Sequence, residues 1–465
     1  VVILNCRIHG SPPVARRGTW VFRAGAAALI PLLLGTLTLL GGCDLRTAPE
    51  IPSGRPAGDD AAVELFLFHG LAETLSTVSI NPADGSMHLL RENVQELGSV
   101  PNDIRSGATP AEILVTLSGE NRLIVLDESA LVVRSELILP AGTNPMAAAA
   151  LGNGLLATTG LFTRTVRIDD PTGTVWEVNG APADSGAGAT AASLPAELPT
   201  GPAPQAILAL TDRWERWSTE TGNAAGDPQQ LFLLVANTAF SSTNPPGSPF
   251  GEGSITRYRL TRTPADSDGT PTLEVATLDE AYSFGATDSA GLNPTVLRPL
   301  PAAGAQPSEI LVVGSGVNLG SSGEGVGDGR LLALDPATLA VRHDLAVGGS
   351  PGSAAVHRTA SGYRVYLAGP SGIRWAYRDD ATGWEAVPSE EQLAYATGDG
   401  LSLIADLALF VDEAGVASLY ATDYWNSRIL RFRIEPDGGL VQRQALAVPQ
   451  GPQGLLLSDE RGTAP

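Results

Sequence analysis

Seven short apolar runs punctuate the chain, each ending in small or turn-forming residues. They are VELFLFHG (63–70), EILVTLSG (112–119), GLLATTG (154–160), LFLLVAN (231–237), EILVVGS (309–315), YRVYLAG (363–369) and ASLYATD (417–423). Their length, β-type content and boundaries predict strands. After each comes a second strand-like run and then a turn: NPADG (81–85), DESA (127–130), DDPTG (169–173), PADSDG (264–269), DPAT (335–338), RDDATG (378–383) and EPDGG (435–439). Asp, Pro and Gly favour tight turns through side-chain-to-backbone bonds, fixed φ and tolerance of positive φ. A third run follows, as in SMHLL, LVVRSEL and LVQRQAL. Each unit closes on a Gly/Pro element that leads into another apolar run: GSVPNDI (98–104), GTNPMAA (142–148), TGPAPQAI (200–207), GLNPTVL (291–297), GGSPGSAAV (348–356) and QGPQGLLL (450–457). In the sixth unit GDGLSLIADL (398–407) stands in without the proline. Long helical periodicity is missing, apart from one turn suggested by TDRWERWSTE (211–220).

Three runs plus one from the closing element make four strands per unit. Seven such units of unequal length predict an all-β fold, a seven-bladed β-propeller of four-stranded antiparallel blades over residues 61–460. No unit buries both of its faces alone, so stacked blades must supply the core. The first unit begins at its second strand. Its innermost strand is therefore expected from GLLLSD (454–459), so that a C-terminal strand completes the first blade and removes an open edge. The stretch ILVTLSGENRLIVLDESALVVRSELILPAGTNPMAAA (113–149) resembles the YVTN-type, lactonase-like seven-bladed propellers. The phrase RLIVLDESALVV and its twin RLLALDPATLAVRHDLAVGGSP (330–351) carry the likeness, which implies the fold much more than an activity.

Upstream of the repeats, residues 24–42 (AGAAALIPLLLGTLTLLGG) are uncharged and apolar, and Arg16, Arg17 and Arg23 precede them. A basic segment, an apolar segment and a small-residue exit read as a secretory signal, residues 1–42, with 1–15 read as a mis-assigned start. Leu40-Gly41-Gly42-Cys43 resembles the bacterial lipobox. That resemblance implies cleavage after Gly42 and acylation of Cys43, which anchors the protein to a membrane of the bacterial envelope. Residues 43–60 are polar and rich in Pro and Gly, as expected of a flexible tether, and 461–465 form a tail. Cys6 and Cys43 cannot form a disulfide framework.

Charge narrows the partners. The 29 basic residues, all Arg, face 50 acidic ones, for a net charge of −21. Such a chain repels phosphate backbones, so nucleic acid is not an expected ligand, and attachment to a membrane should rest on acyl chains rather than on lipid headgroups. A monomer is expected. With strands ordered from the channel outward, outer-to-inner and second-to-third connections emerge at one end of the ring. The long insertions at 181–203, 238–253, 282–293 and 315–329 are all read onto that end, in units three to five.

The residues after each closing proline should border the channel mouth at the same end: Asn102, Met146, Gln205, Thr295, Gly352 and Gln453, with Leu401 in the odd unit. Asp103 is read as the only carboxylate beside this neutral ring, and no histidine is in phase with it. Hydrolysis by a metal or a histidine base needs convergent ligands or a titratable base. The Gly-rich stretch 314–329 lacks the lysine and helix of a phosphate loop; its Glu324 and Asp328 offer Ca²⁺ ligands, with a solvated loop as the plainer reading, and no other cofactor is expected. His69 follows a strand and reads as packed, and Trp214 and Trp217 fall on the opposite face. Three functions follow: a lipid-anchored binding or scaffold module for a protein or glycan partner, a lactonase-like or other metal-dependent hydrolase, and a structural subunit of a membrane complex.

Overall fold

The computed structural model describes residues 63–458, except Pro110, Asn153 and the stretches 180–191, 212–228, 241–252, 264–269, 284–292, 302–307, 317–328, 386–392 and 398–401. The leader and tether therefore lie outside the described residues. Seven antiparallel sheets form the ring, and among the described residues the only helical element is a 3₁₀ turn at Ser118–Glu120. Blade one contains Val63–His69, Thr74–Ile80 and Met87–Glu96, and its innermost strand is Pro452–Leu457 from the other end of the chain. Leu65 pairs with Leu457 and Leu67 with Leu455, so the ring closes through backbone hydrogen bonds as the phase of the repeats requires.

The apolar runs are the second strands, and they are apolar at nearly every position because both of their faces are covered. In Val63–His69, Leu65 and Leu67 pack against blade seven, while Phe66 and Phe68 pack against blade two. In Glu309–Gly314, Ile310 and Val312 face blade four and Leu311 and Val313 face blade six. The period-two alternation of a strand thus feeds two different interfaces. Buried tyrosines add ties at the periphery. Tyr420 of blade seven donates its hydroxyl to the Gly85 carbonyl of blade one (2.7 Å), and Tyr366 of blade six donates to the Gly438 carbonyl of blade seven (3.0 Å).

The phrases RLIVLDESALVV and RLLALDPATLAV fold into the same turn. Asp127 Oδ1 accepts from the Ser129 and Ala130 amides, and Asp335 Oδ1 from those of Ala337 and Thr338. Leu131 and Leu339 then sit in the left-handed region, buried, and Arg134 and Arg342 return to pair with the two aspartates. These backbone bonds hold both carboxyls below the usual carboxylate range.

Unit three departs from the expectation. Its outer strand is Ala196–Pro199, paired with Thr165–Asp169, so the third strand leads to the outer one through a connection that leaves Asp169 at the end opposite the mouth, and 180–191 lie outside the described residues. The WEVN segment leaves its own blade. Glu177–Asn179 pairs in parallel with Thr272–Ser283 of blade four. The physical reason is burial: Trp176 and Val178 enter the core between blades three and four, and the Trp176 indole N–H donates to Asp170 Oδ2 at 2.6 Å. The insertions read at 238–253, 282–293 and 315–329 lie almost entirely outside the described residues.

Candidate functional site

Six of the seven innermost strands carry a register shift near their first residue. The pairing skips from Pro101 to Asp103, Pro145 to Ala148, Pro204 to Ala206, Pro294 to Val296, Ile404 to Leu407, and Gly454 to Pro452. Proline suits the first position of a strand, where its missing N–H costs no ladder bond. The β-bulge directly after it re-aims a side chain that would otherwise enter the blade packing. Asn102, Met146, Gln205, Thr295, Gly352 and Gln453 line one cavity of about 260 Å³ at one end of the ring. In blade six Gly352 directly precedes the strand Ser353–Arg358, and a Cβ built on it would meet nothing within 4 Å.

Blade seven is corrected by its register. Ile404 occupies the proline position, so Ala405 borders the mouth; Leu401 lies outside the described residues. The same register places Asp406 in phase with Asp103, so Asp103 is not the only carboxylate here. Aligning IADL on PNDI would have found it. Asp406 accepts from Ser353 Oγ (2.5 Å), the Leu407 amide (2.9 Å) and the Leu455 amide (2.8 Å), which joins blades six, seven and one at the channel. Burial raises its pKa against the effect of those bonds.

A second cavity of about 290 Å³ continues along the inner strands and shares Asp103, Ile104, Arg105, Arg298 and Asp406 with the first. This waist holds two carboxylates and two guanidiniums. Arg105 pairs with Asp103 at 3.0 Å, and Arg298 Nε donates to the Ala354 carbonyl at 3.2 Å. The mouth above it is neutral and hydrogen-bonding. Asn102 Nδ2 donates to the Pro145 carbonyl at 3.0 Å, and the Thr295 and Ser315 hydroxyls lie 3.0 Å apart.

The other sequence candidates divide. His69 is buried, with Nε2 2.9 Å from Ser76 Oγ, and burial pushes its pKa down to about 4. Gly42, Cys43, Trp214, Trp217, Glu324 and Asp328 lie outside the described residues. Among the described residues, no group of three or more His, Cys, Asp or Glu side chains is placed to hold a metal ion.

No protein-family model matches the chain, and no curated protein sequence does. Solved structures align along most of the chain at low identity. A protein of unknown function from Desulfotomaculum acetoxidans is 12% identical with a TM-score of 0.49, covering 85% of this chain and 98% of that one. A candidate 6-phosphogluconolactonase from Bacteroides fragilis is also 12% identical, with a TM-score of 0.45, covering 87% of this chain and 99% of that one. A Lactobacillus plantarum protein is 10% identical with a TM-score of 0.46, covering 85% and 99%. At these identities and TM-scores the likenesses carry no argument about what this chain does, and its fold rests on the sheets described above.

Proposed function

We propose that the chain is a binding module of a bacterial envelope, anchored by lipid on Cys43, that receives its partner at the mouth end of the ring. One observation carries this reading: successive inner strands deliver neutral side chains into a single open cavity. Below them, the two positive and two negative groups at the waist balance. A rigid, neutral, hydrogen-bonding cavity suits recognition. The metal-dependent hydrolase reading would need a convergent ligand set at the same mouth, and the residues there do not favour it.

The test uses the open space at Gly352. A photo-crosslinking side chain placed there in intact cells should trap a discrete adduct, whereas the same group at the exposed Val441, on the outer strand of blade seven, should not. Equal labelling from both positions, or none from 352, would overturn the reading. Anchoring is tested separately. Cys43→Ser should leave the signal uncleaved, seen as a heavier band. Normal maturation and membrane fractionation of this variant would remove the lipid anchor from the proposal.

A further inference from the structure

We infer that the occupant of the mouth is a neutral saccharide, one sugar unit at a glycan end; this rests on the binding reading above. The first argument is the chemistry of the ring. Gln205 and Gln453 each bring both a donor and an acceptor, Asn102 brings its Oδ1 acceptor while its amide is held by the Pro145 carbonyl and the Met146 sulfur, and Thr295 brings a hydroxyl shared with Ser315. Sugar hydroxyls need such paired donors and acceptors at close spacing. The second is charge. The formal charges at the waist sum to zero, and the chain as a whole carries −21, so anionic ligands are repelled on approach and gain no net cation inside.

The third is an apolar platform beside the polar ring. Tyr424 lines the cavity, and Trp425 stands edge-on to it with ring centroids 4.8 Å apart. Trp425 is 53% exposed, although it follows a strand that is buried throughout. Phe162 (64%) and Leu71 (42%) occupy the equivalent connection in blades three and one, so exposed apolar groups recur at the same end of the ring. A sugar ring has an apolar C–H face and a polar edge; the exposed indole stacks edge-on against Tyr424, which lines the same cavity as the carboxamides, so an apolar surface and polar groups are offered at one end of the ring. Size agrees. A cavity of about 260 Å³ is just below the ~300 Å³ at which pockets for drug-sized ligands begin, which suits one ring rather than a chain. Asp406 completes the floor, fixed by three hydrogen bonds from Ser353, Leu407 and Leu455.

The experiment is a glycan array probed with the full chain in a detergent without sugar headgroups. The array carries neutral, N-acetylated, sialylated and sulfated glycans, and tryptophan fluorescence titrations follow each positive. Binding to neutral glycans is expected. It should weaken about tenfold in Trp425→Ala, stay within about threefold in Trp425→Tyr, and vanish in Gly352→Trp, with melting temperatures unchanged. Binding confined to sialylated or sulfated glycans overturns the inference, as does binding to none. A protein adduct at position 352 with no glycan bound would leave the binding reading standing and remove the saccharide. Neither adduct nor glycan would remove both.

Discussion

His69 and Gly454 show how single residues are tied to the ring. His69 is buried and held neutral, with its pKa near 4 against the ordinary 6.5. The unfolded chain therefore takes up a proton near pH 6.5 that the folded chain refuses until about pH 4. Stability must fall as pH drops through that window, by roughly 2–4 kcal/mol for a shift of this size. The aspartates of the twin turns act below it. Their pKa values are depressed, so their contribution is present above the ordinary carboxylate range and is lost in stronger acid. Denaturant midpoints measured between pH 7 and 4 should therefore decline, and the decline should be shallower in His69→Gln. Gly454 answers to sterics instead. A Cβ there would overlap the buried Phe68 ring, which has no room to move between blades one and two. Gly454→Ala should cost about 1–3 kcal/mol in an unfolding titration, as overpacking of a filled core does.

Among the elements, the closing strand carries the most consequence. Pro452–Leu457 covers an edge of Val63–His69 that would otherwise present unpaired N–H and C=O groups. It also supplies Leu455 and Leu457 to the packing against blade seven, and Leu456 to that against blade two. A chain ending at residue 451 should lose its single sharp melting transition and self-associate, as checked by calorimetry and gel filtration; an unchanged monomeric melt would show that closure adds nothing. The inner strands carry the second consequence. The bulge was not readable as a bulge, but its position was, because Pro is the first residue of the inner strand in five blades; in blade six Pro351 lies two residues before an unbulged strand, and blade seven has no proline. That blade misled for the same reason. Without a proline, the phase was set on Leu401, four residues before Ala405, the residue after the strand start at Ile404.

Across the whole molecule, stability is shared among blade interfaces. Among the described residues the buried apolar side chains form seven clusters, and each spans one pair of neighbouring blades. Such a ring keeps its frame while loops at either end vary, which is why long insertions in blades four and five are compatible with a regular core. The same frame makes the mouth a rigid surface, and Gly352→Trp should fill it without shifting the melting temperature, since nothing stands within 4 Å of a Cβ there.

Strand number, blade number, the order of strands and the closure were all set by local pattern: apolar runs, turn residues and prolines repeating in phase. These act over a few residues, so a single chain displays them. The neutral mouth was readable for the same reason in six blades, since Asn102, Met146, Gln205, Thr295, Gly352 and Gln453 each follow a visible proline, whereas Ala405 does not. What lay beyond local pattern came from packing between blades. The tryptophan at 176 buries itself in the next interface and drags its segment onto blade four, which no turn signal announces. Asp406 and Arg298 meet at the waist only because the ring brings strands more than a hundred residues apart to one axis. Convergence of that kind is a property of closure, and the tertiary structure alone decides it.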